Sequence, residues 1–353
     1  MAFTIGRFFP LALLLVADAS VAVEINCEQA QAKDGSPPIV DLRVDNDLFA
    51  NQDQGYTSGV LIGFVSPNLK DYTDDRCLPA PARWLNAYLD WLQPRGFDQQ
   101  NMVVRIGQGM FTPSDPKPSE LIEDDRPYAG VFLVSLGYNA RENDYLRSTT
   151  LDMGLVGPSS RAEEIQDFIH DLIGSEKFNG WDNQLRDEVV FRIVHERARR
   201  FPAEGMFGDD NGFGFDAIRH YGLSLGTLAT YANAGGEIRF GWRLPDDFGT
   251  SPLRPAGENS APNVRARYSS DWSVHGFISV DARVVLRDIT LDGNTWKTSH
   301  SVDKEIVVGE AAVGVAIRHG RWKFAYARYF RTREFEGQGD TPSYGSFTIS
   351  AAL

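Results

Sequence analysis

The feature that most constrains this chain is an alternation of apolar and polar side chains, with a period of two residues, along most of its length. In residues 39–47, Val40, Leu42 and Val44 fall on one face of an extended strand, and four charged side chains fall on the other. Such a period indicates strands whose two faces meet different surroundings. The sequence therefore predicts an all-β fold.

Twelve runs show this pattern, separated by clusters of Gly, Pro, Asn and Asp that interrupt strands. They are residues 39–47, 56–65, 102–108, 128–138, 148–156, 188–194, 217–228, 235–242, 273–285, 306–318, 322–330 and 343–353. The alternation fits a soluble sandwich, which turns its apolar face to a core. It fits equally an outer-membrane barrel, which turns that face to lipid and its charged face to the lumen.

The first 22 residues have the composition of a cleaved secretory signal, with one Arg, an apolar centre, and small side chains at Ser20 and Ala22. The apolar run at 8–16 is shorter than the roughly 20 apolar residues that a spanning helix needs. We predict a signal peptide at 1–22 and one domain at 23–353. Export and the even strand number favour an antiparallel transmembrane β-barrel of about twelve strands, with a short helix in one loop.

The formal net charge of -13 argues against nucleic acid as a partner, because nucleic acid binds to a basic face. The same charge would repel an anionic lipid unless a divalent cation lay between them. The two cysteines, Cys27 and Cys77, flank the first two predicted strands, and an exported protein can form a disulfide. The sequence leaves open whether they pair.

One segment, residues 157–185, breaks the strand pattern. Ser160 and Glu163 have the spacing of a capping box, and apolar residues at 165, 168, 169, 172 and 173 have helical spacing. Gly174 is a typical residue for the end of a helix. The pattern predicts a helix that buries this apolar face, with His170 at the edge of its polar face.

His170 and Glu176 place a potential general base and a potential metal ligand within about two helical turns. Imidazole suits proton transfer near neutral pH. The alternative is that His170 is an ordinary surface side chain. The one G-x-S-x-G match, "GLSLG" at 222–226, lies within an alternating run and not at the strand-to-helix turn that a nucleophile elbow needs. Water activated by histidine, with a cation stabilising the oxyanion, is therefore the preferred hydrolytic hypothesis.

Two further groups of side chains have candidate roles. Asp45, Asn46 and Asp47 offer oxygen atoms of the kind that calcium binds, although Asp and Asn are also common in turns. The EF-hand pattern is absent, so a calcium site would combine distant segments. Lys117, in a loop after the third strand, carries a compact charge that suits an anionic head group, or it is simply solvated.

These residues resemble the outer-membrane lipid A 3'-O-deacylase family, in order along most of the mature chain. The resemblance is carried by Asn46-Asp47, by "GYTSG" at 55–59, and by Gln108 with "FTPSD" and Asp125-Arg126. Its most specific part is "GPSSRAEEIQDFIHDLIGSEKFNGWDNQL" at 157–185.

The resemblance implies a twelve-stranded barrel in the bacterial outer membrane that acts on lipopolysaccharide. It implies calcium-dependent hydrolysis of the 3'-linked acyloxyacyl ester of lipid A. His170 would activate water, and Asp47 and Glu176 would belong to the calcium site.

By the same resemblance, Asn46 and Thr57 would line the pocket and hold the tetrahedral oxyanion, and Lys117 would meet a lipid A phosphate. Regular alternation puts Asn46 and Asp47 on opposite faces of a strand, so both can serve only beside a bulge or at a strand end. Two other functions stay open: a non-catalytic barrel acting as a porin or adhesin, and a hydrolase of phospholipid. The sequence leaves the oligomeric state open.

Overall fold

Twelve antiparallel strands close into a barrel in the computed structural model of this protein, with each strand paired to the next and β1 paired to β12. The structure describes residues 37–47, 55–69, 71–73, 75, 78–97, 99–173, 176–202, 212–249 and 272–353. The predicted signal at 1–22, Cys27 and Cys77 lie outside the described residues. No helix among the described residues is both long enough and apolar enough to span a membrane.

All twelve predicted strands are present, and most of them are longer than the alternating runs that predicted them. They are β1 Ile39–Asn46, β2 Gly55–Val65, β3 Gln99–Thr112, β4 Ala129–Glu142, β5 Tyr145–Val156, β6 Glu188–Pro202, β7 Phe213–Gly226, β8 Ala229–Trp242, β9 Trp272–Asp288, β10 Val307–His319, β11 Trp322–Arg331 and β12 Ser343–Ala352. Within the described parts of the connections lie three α-helices: α1 Ala80–Tyr88, α2 Ala162–Ile173 and α3 Ile289–Asp292.

The two faces of the wall differ as the alternation requires. Leu42 of β1 and its partner Ile62 of β2 point outward and are exposed. Arg43 points into the lumen, where its Nε donates to Asp45 Oδ1 at 2.7 Å. Charge on the inner face and aliphatic side chains on the outer face are typical of a barrel surrounded by lipid.

Ion pairs line the lumen. Arg192 bonds Asp152 at 2.6 Å and Arg331 bonds Glu310 at 2.7 Å, each between paired residues of neighbouring strands. A cavity of about 300 Å³, lined in part by Arg43, remains within this network. Buried charges are tolerated here because each guanidinium has a carboxylate to bond.

The connections alternate between the two ends of the barrel, which we name the site end and the termini end. The site end is where β1 finishes; it carries the β1–β2, β3–β4, β5–β6, β7–β8, β9–β10 and β11–β12 connections, including α2 and α3. The termini end carries the start of β1, the end of β12 and the β2–β3 connection with α1. At the same end, Asn143 (φ 50°) lies in the two-residue hairpin turn between β4 and β5.

Candidate functional site

The helix α2 lies on the outside of the barrel wall, against β3 and β4. Gln108 of β3 donates from Nε2 to the carbonyl of Ser160 at 2.5 Å. Gly130 of β4 approaches so closely that an added Cβ would clash with Ser160 and Ala162. Gln108 lies in the same outward row as the exposed Ile106. The segment that begins α2 therefore packs on the lipid side of the wall.

An aromatic cluster fastens the segment after α2 to this wall. Its buried members are Met110, Tyr128, Ala162, Phe178 and Trp181. Trp181 lies 5.2 Å from Tyr128 between ring centroids. Its indole N–H donates to Gln166 Oε1 at 2.7 Å, and both side chains are buried. The cluster thus joins β3, β4, the helix and the returning chain.

The buried face of α2 is not the face that the sequence predicts. Ala162, Gln166 and His170, spaced by four residues, are all buried. Phe168 is 68% exposed, and Ile165 is exposed as well. The expectation of a buried apolar face at these two residues was therefore wrong. Such a helix outside the wall has lipid rather than water on its far side, so exposed apolar side chains are not penalised there.

The start of α2 also differs from the prediction. Arg161 adopts a left-handed conformation (φ 61°) and separates the helix from a preceding 3-10 turn, Pro158–Ser160. The hydroxyl of Ser160 has no hydrogen-bond partner among the described residues. The predicted capping box is therefore not formed.

His170 is the best-defined candidate for chemistry. It is 2% exposed, and its ring centroid lies 6.0 Å from that of Phe178. Its Nδ1 lies 2.5 Å from the backbone carbonyl oxygen of Glu176. A carbonyl can only accept, so the proton is assigned to Nδ1. The neutral ring then carries its lone pair on Nε2, which is the form that a general base requires.

Asn46 and Asp47 lie where β1 ends, as their joint use requires. Asn46 is the last residue of the strand, in the same outward row as Leu42, and Asp47 follows it and is fully buried. Asn46 pairs with Ser58 of β2, which pairs with Met110 of the aromatic cluster. Two strand spacings, about 10 Å in all, therefore separate Asn46 from the wall beneath α2.

Thr57 lies at a β-bulge beside Asn46. The register of β2 against β3 shifts between Tyr56 and Ser58, which makes Thr57 the extra residue. Its side chain lies outside the described residues. Tyr56 points inward, where its hydroxyl donates to Asp45 Oδ2 at 2.9 Å. The bulge changes the direction in which successive side chains point at this position of the wall.

Lys117 lies at the same rim and is exposed. Asn179 donates from Nδ2 to the Lys117 carbonyl at 3.1 Å and from its backbone N–H to the Pro116 carbonyl at 2.9 Å. Asn183 donates in the same way to the carbonyl of Ser119 at 2.8 Å. These bonds tie the β3–β4 connection to the chain that follows α2.

The predicted metal ligands are placed, but they do not form a complete site. The Glu176 side chain is exposed, and its carbonyl holds His170. Across the residues that the structure describes, no three His, Cys, Asp or Glu side chains form a metal-binding group. Asp47 and Glu176 are hard oxygen donors of the class that calcium prefers. Two carboxylates are fewer than the six to eight oxygen ligands of a calcium ion, so backbone carbonyls, amide oxygens or water would have to complete the set.

Three features of the site were not found from the sequence. Gln166 lies one turn before His170 on the same face, a spacing that could have indicated a shared buried face. Burial raises the pKa of Tyr128 to about 12, which keeps its phenol neutral against the aromatic cluster. Lys177 bonds Asp171 at 3.0 Å and Asp167 at 3.2 Å on the exposed side of the helix, and these bonds raise the pKa of its ammonium.

The protein-family model described as outer membrane protein LpxR matches residues 9–353. Among solved structures, LpxR from Salmonella typhimurium has a TM-score of 0.69 at 19% identity, over 89% of this chain and 100% of that chain. The β domain of the Bordetella autotransporter BrkA has a TM-score of 0.39 at 11% identity, over 91% and 100%. At such low identity the Salmonella structure shows a shared fold, and the BrkA match carries no argument. No curated protein sequence matches the chain.

Proposed function

This chain belongs to the LpxR family of outer-membrane proteins, and from that premise we propose that it is an esterase that removes the 3'-linked acyloxyacyl group of lipid A. The predicted family, barrel fold and outer-membrane location are confirmed. The substrate, the reaction and the roles of individual residues are the proposal. The observation that carries it is the setting of His170.

His170 lies between a helix and the outer face of the wall, where a membrane lipid can approach. Its Nδ1–H is engaged by the Glu176 carbonyl, which orients the ring and leaves Nε2 to act as the base. The aromatic cluster around Phe178 limits water around the ring.

The proposed reaction uses these groups in two steps. His170 Nε2 takes a proton from water as the water oxygen forms a bond to the ester carbonyl carbon. The side chains of Asn46 and Thr57 donate hydrogen bonds to the resulting oxyanion. The bond from that carbon to the sugar oxygen then breaks, and His170 returns the proton to the sugar oxygen. The products are a free acyloxyacyl acid and a 3'-hydroxyl group.

Lys117 is proposed to bind a lipid A phosphate, since it is an exposed cation at the rim next to the His170 segment. Calcium dependence is proposed from the resemblance and from the donor chemistry of Asp47 and Glu176. A bound calcium ion would polarise the ester carbonyl and offset the negative charge of the protein.

The two other functions make different demands. A porin needs an open lumen, whereas ion pairs such as Arg239 with Asp216 at 2.6 Å occupy this one. A phospholipid hydrolase would use the same base on a different ester. Neither has an observation that favours it over the lipid A esterase.

The test is mass spectrometry of lipid A after the purified protein has been incubated with lipopolysaccharide and calcium. We expect loss of the 3' acyloxyacyl unit with the wild type and a rate at least about 100-fold lower with His170→Gln. His300→Gln is the matched control, because His300 also bonds a backbone carbonyl at the site end, that of Asp125 at 2.8 Å. Equal rates in wild type and His170→Gln, no loss in any sample, or release from phospholipid alone would refute the proposal.

A further inference from the structure

A second element covers the outside of the barrel, at the opposite end from the site. The β2–β3 connection, which carries α1, packs on Met102 and Tyr138, and beside them on Leu136, Leu151 and Ile193. These five residues belong to outward rows of β3 to β6, since Leu136 lies two residues after the exposed Val134 and pairs with Leu151. The connection therefore folds back over the wall rather than across the mouth of the barrel.

Asn86 holds α1 in this position. It is fully buried, its Oδ1 accepts from the Tyr138 hydroxyl at 2.7 Å, and its Nδ2 donates to the Tyr72 carbonyl at 2.7 Å. Gln93 donates to the Asn86 carbonyl at 2.7 Å, and the Tyr72 hydroxyl donates to the Asn139 carbonyl at 2.6 Å. The buried amide of Asn86 thus uses both its donor and its acceptor to fix the element.

The opposite side of the same element is aromatic and uncovered. Trp84 is 64%, Tyr88 66% and Trp91 69% exposed, and Leu85 is exposed beside them. The rings of Trp84 and Tyr88 stack edge to face at 4.6 Å. Large aromatic side chains with a polar edge concentrate where a bilayer meets water.

The rest of the barrel carries an aromatic belt at this end. Four strands that begin at the termini end, β5, β7, β9 and β11, each begin with an exposed aromatic residue: Tyr145, Phe213, Trp272 and Trp322. Arginines accompany the belt, as the Arg199 guanidinium lies 4.7 Å from the Tyr145 ring centroid. Aromatic girdles flanked by basic side chains mark the interfacial level of outer-membrane barrels.

Of the six strands that begin at this end, β1 and β3 lack such a residue, and α1 lies over β3. β3 also begins at the termini end, but it begins with the buried Gln99, and its outward Met102 is covered. The connection that covers Met102 presents Trp84, Tyr88 and Trp91 instead. The element thus supplies exposed aromatic residues in the sector where β3 lacks one of its own.

We propose that α1 and the turn after it form an interfacial anchor, with Trp84, Tyr88 and Trp91 inserted at the boundary of head groups and acyl chains in the leaflet at the termini end. The occupant of this surface is phospholipid, because the surface continues the lipid-facing wall and its aromatic belt. A helix that lies flat at this level and exposes an aromatic face is typical of an interfacial helix. The anchor is independent of the catalytic proposal.

The test is depth-dependent quenching of tryptophan fluorescence in vesicles of phosphatidylcholine and phosphatidylglycerol. The phosphatidylcholine carries bromine either near the glycerol end or near the methyl end of its chains, and acrylamide is present on both sides of the membrane. The full chain is compared with the double variant Trp84→Phe/Trp91→Phe and with Trp296→Phe, whose tryptophan is 76% exposed in a site-end loop. Heat-dependent gel mobility confirms that each variant is folded.

We expect the emission lost in the double variant to be quenched more by shallow than by deep bromine and poorly by acrylamide. Strong acrylamide quenching of this component with no effect of bromine would place the element in water or on a protein partner and overturn the proposal. Stronger quenching by deep bromine would also overturn it. The Trp296 component reports how a water-exposed indole responds in the same vesicles.

Discussion

The bond between Trp181 and Gln166 offers the sharpest test of how the site is held together. Trp181→Phe removes the indole donor, and Gln166→Leu removes its acceptor. The 2.7 Å bond lies between two side chains that are almost completely buried. Removing one partner leaves the other buried and unpaired, which costs about 1–3 kcal/mol. The smaller phenyl ring also leaves a cavity beside Tyr128, which adds to the cost.

The double variant Trp181→Phe/Gln166→Leu removes both polar atoms. Its loss of stability should therefore be smaller than the sum of the losses in the two single variants. We expect a coupling of about 1 kcal/mol, within the range for residues in direct contact. His170 lies one helical turn after Gln166 on the same buried face. Each 1.4 kcal/mol lost from the free energy that docks α2 on the wall raises the fraction of molecules in which His170 is displaced about tenfold.

The measurement is hydrogen exchange of the amides of Ala162–Ile173 in the reconstituted protein, alongside the rate of lipid A deacylation. Local opening of α2 exposes these amides without unfolding the barrel. Trp296→Phe is the control, since it changes an exposed indole at the same end of the barrel. If the costs of the two single variants add up to the cost of the double variant within about 0.3–0.5 kcal/mol, this bond does not couple the helix to the wall.

Four shorter predictions concern the same end of the barrel. Gly130→Val should push α2 off the wall, because a Cβ there meets Ala162, and should abolish deacylation while heat-dependent gel mobility stays that of a folded barrel. Lys117→Ala should raise KM for phosphorylated lipid A but leave KM unchanged for dephosphorylated lipid A. Chelation of calcium by EGTA should stop the wild-type reaction, and calcium, unlike magnesium, should restore it. Burial raises the pKa of Tyr128 from 10.0 to about 12. The stabilisation by its neutral phenol is therefore present below pH 10 and is lost as pH rises through 12. Tyr128→Phe should abolish this loss of stability, as measured by the pH dependence of hydrogen exchange.

The barrel was predictable because alternation is a local property that every strand repeats. Strand lengths were not. The alternating run that predicted β6 covers 188–194, whereas the strand extends to Pro202. The extension is rich in Arg, and the sequence gives no sign that Arg199 can lie beside Tyr145 and Phe201 on the outer face, with its guanidinium 4.7 Å and 4.9 Å from their rings. Basic side chains at an interface pair with aromatics and so obscure the apolar pattern.

The helix at the site shows a different reason for failure. Helical spacing gave the existence of α2, but the rule that apolar residues point inward put Phe168 on the wrong side. That rule holds where water is the solvent, and it weakens where the outer side of a helix meets lipid. The bond from His170 to the Glu176 carbonyl depends on how the chain turns after the helix, which no residue pattern encodes.

The placement of α2 outside the wall has a kinetic consequence. A lipid substrate of the proposed kind would reach His170 sideways through the leaflet, without crossing the lumen. Its encounter rate then depends on its mole fraction in the plane of the bilayer and on two-dimensional diffusion, and hardly on its amount per volume of buffer. Diluting such a substrate with inert lipid should slow turnover even when the total quantity in the tube is unchanged.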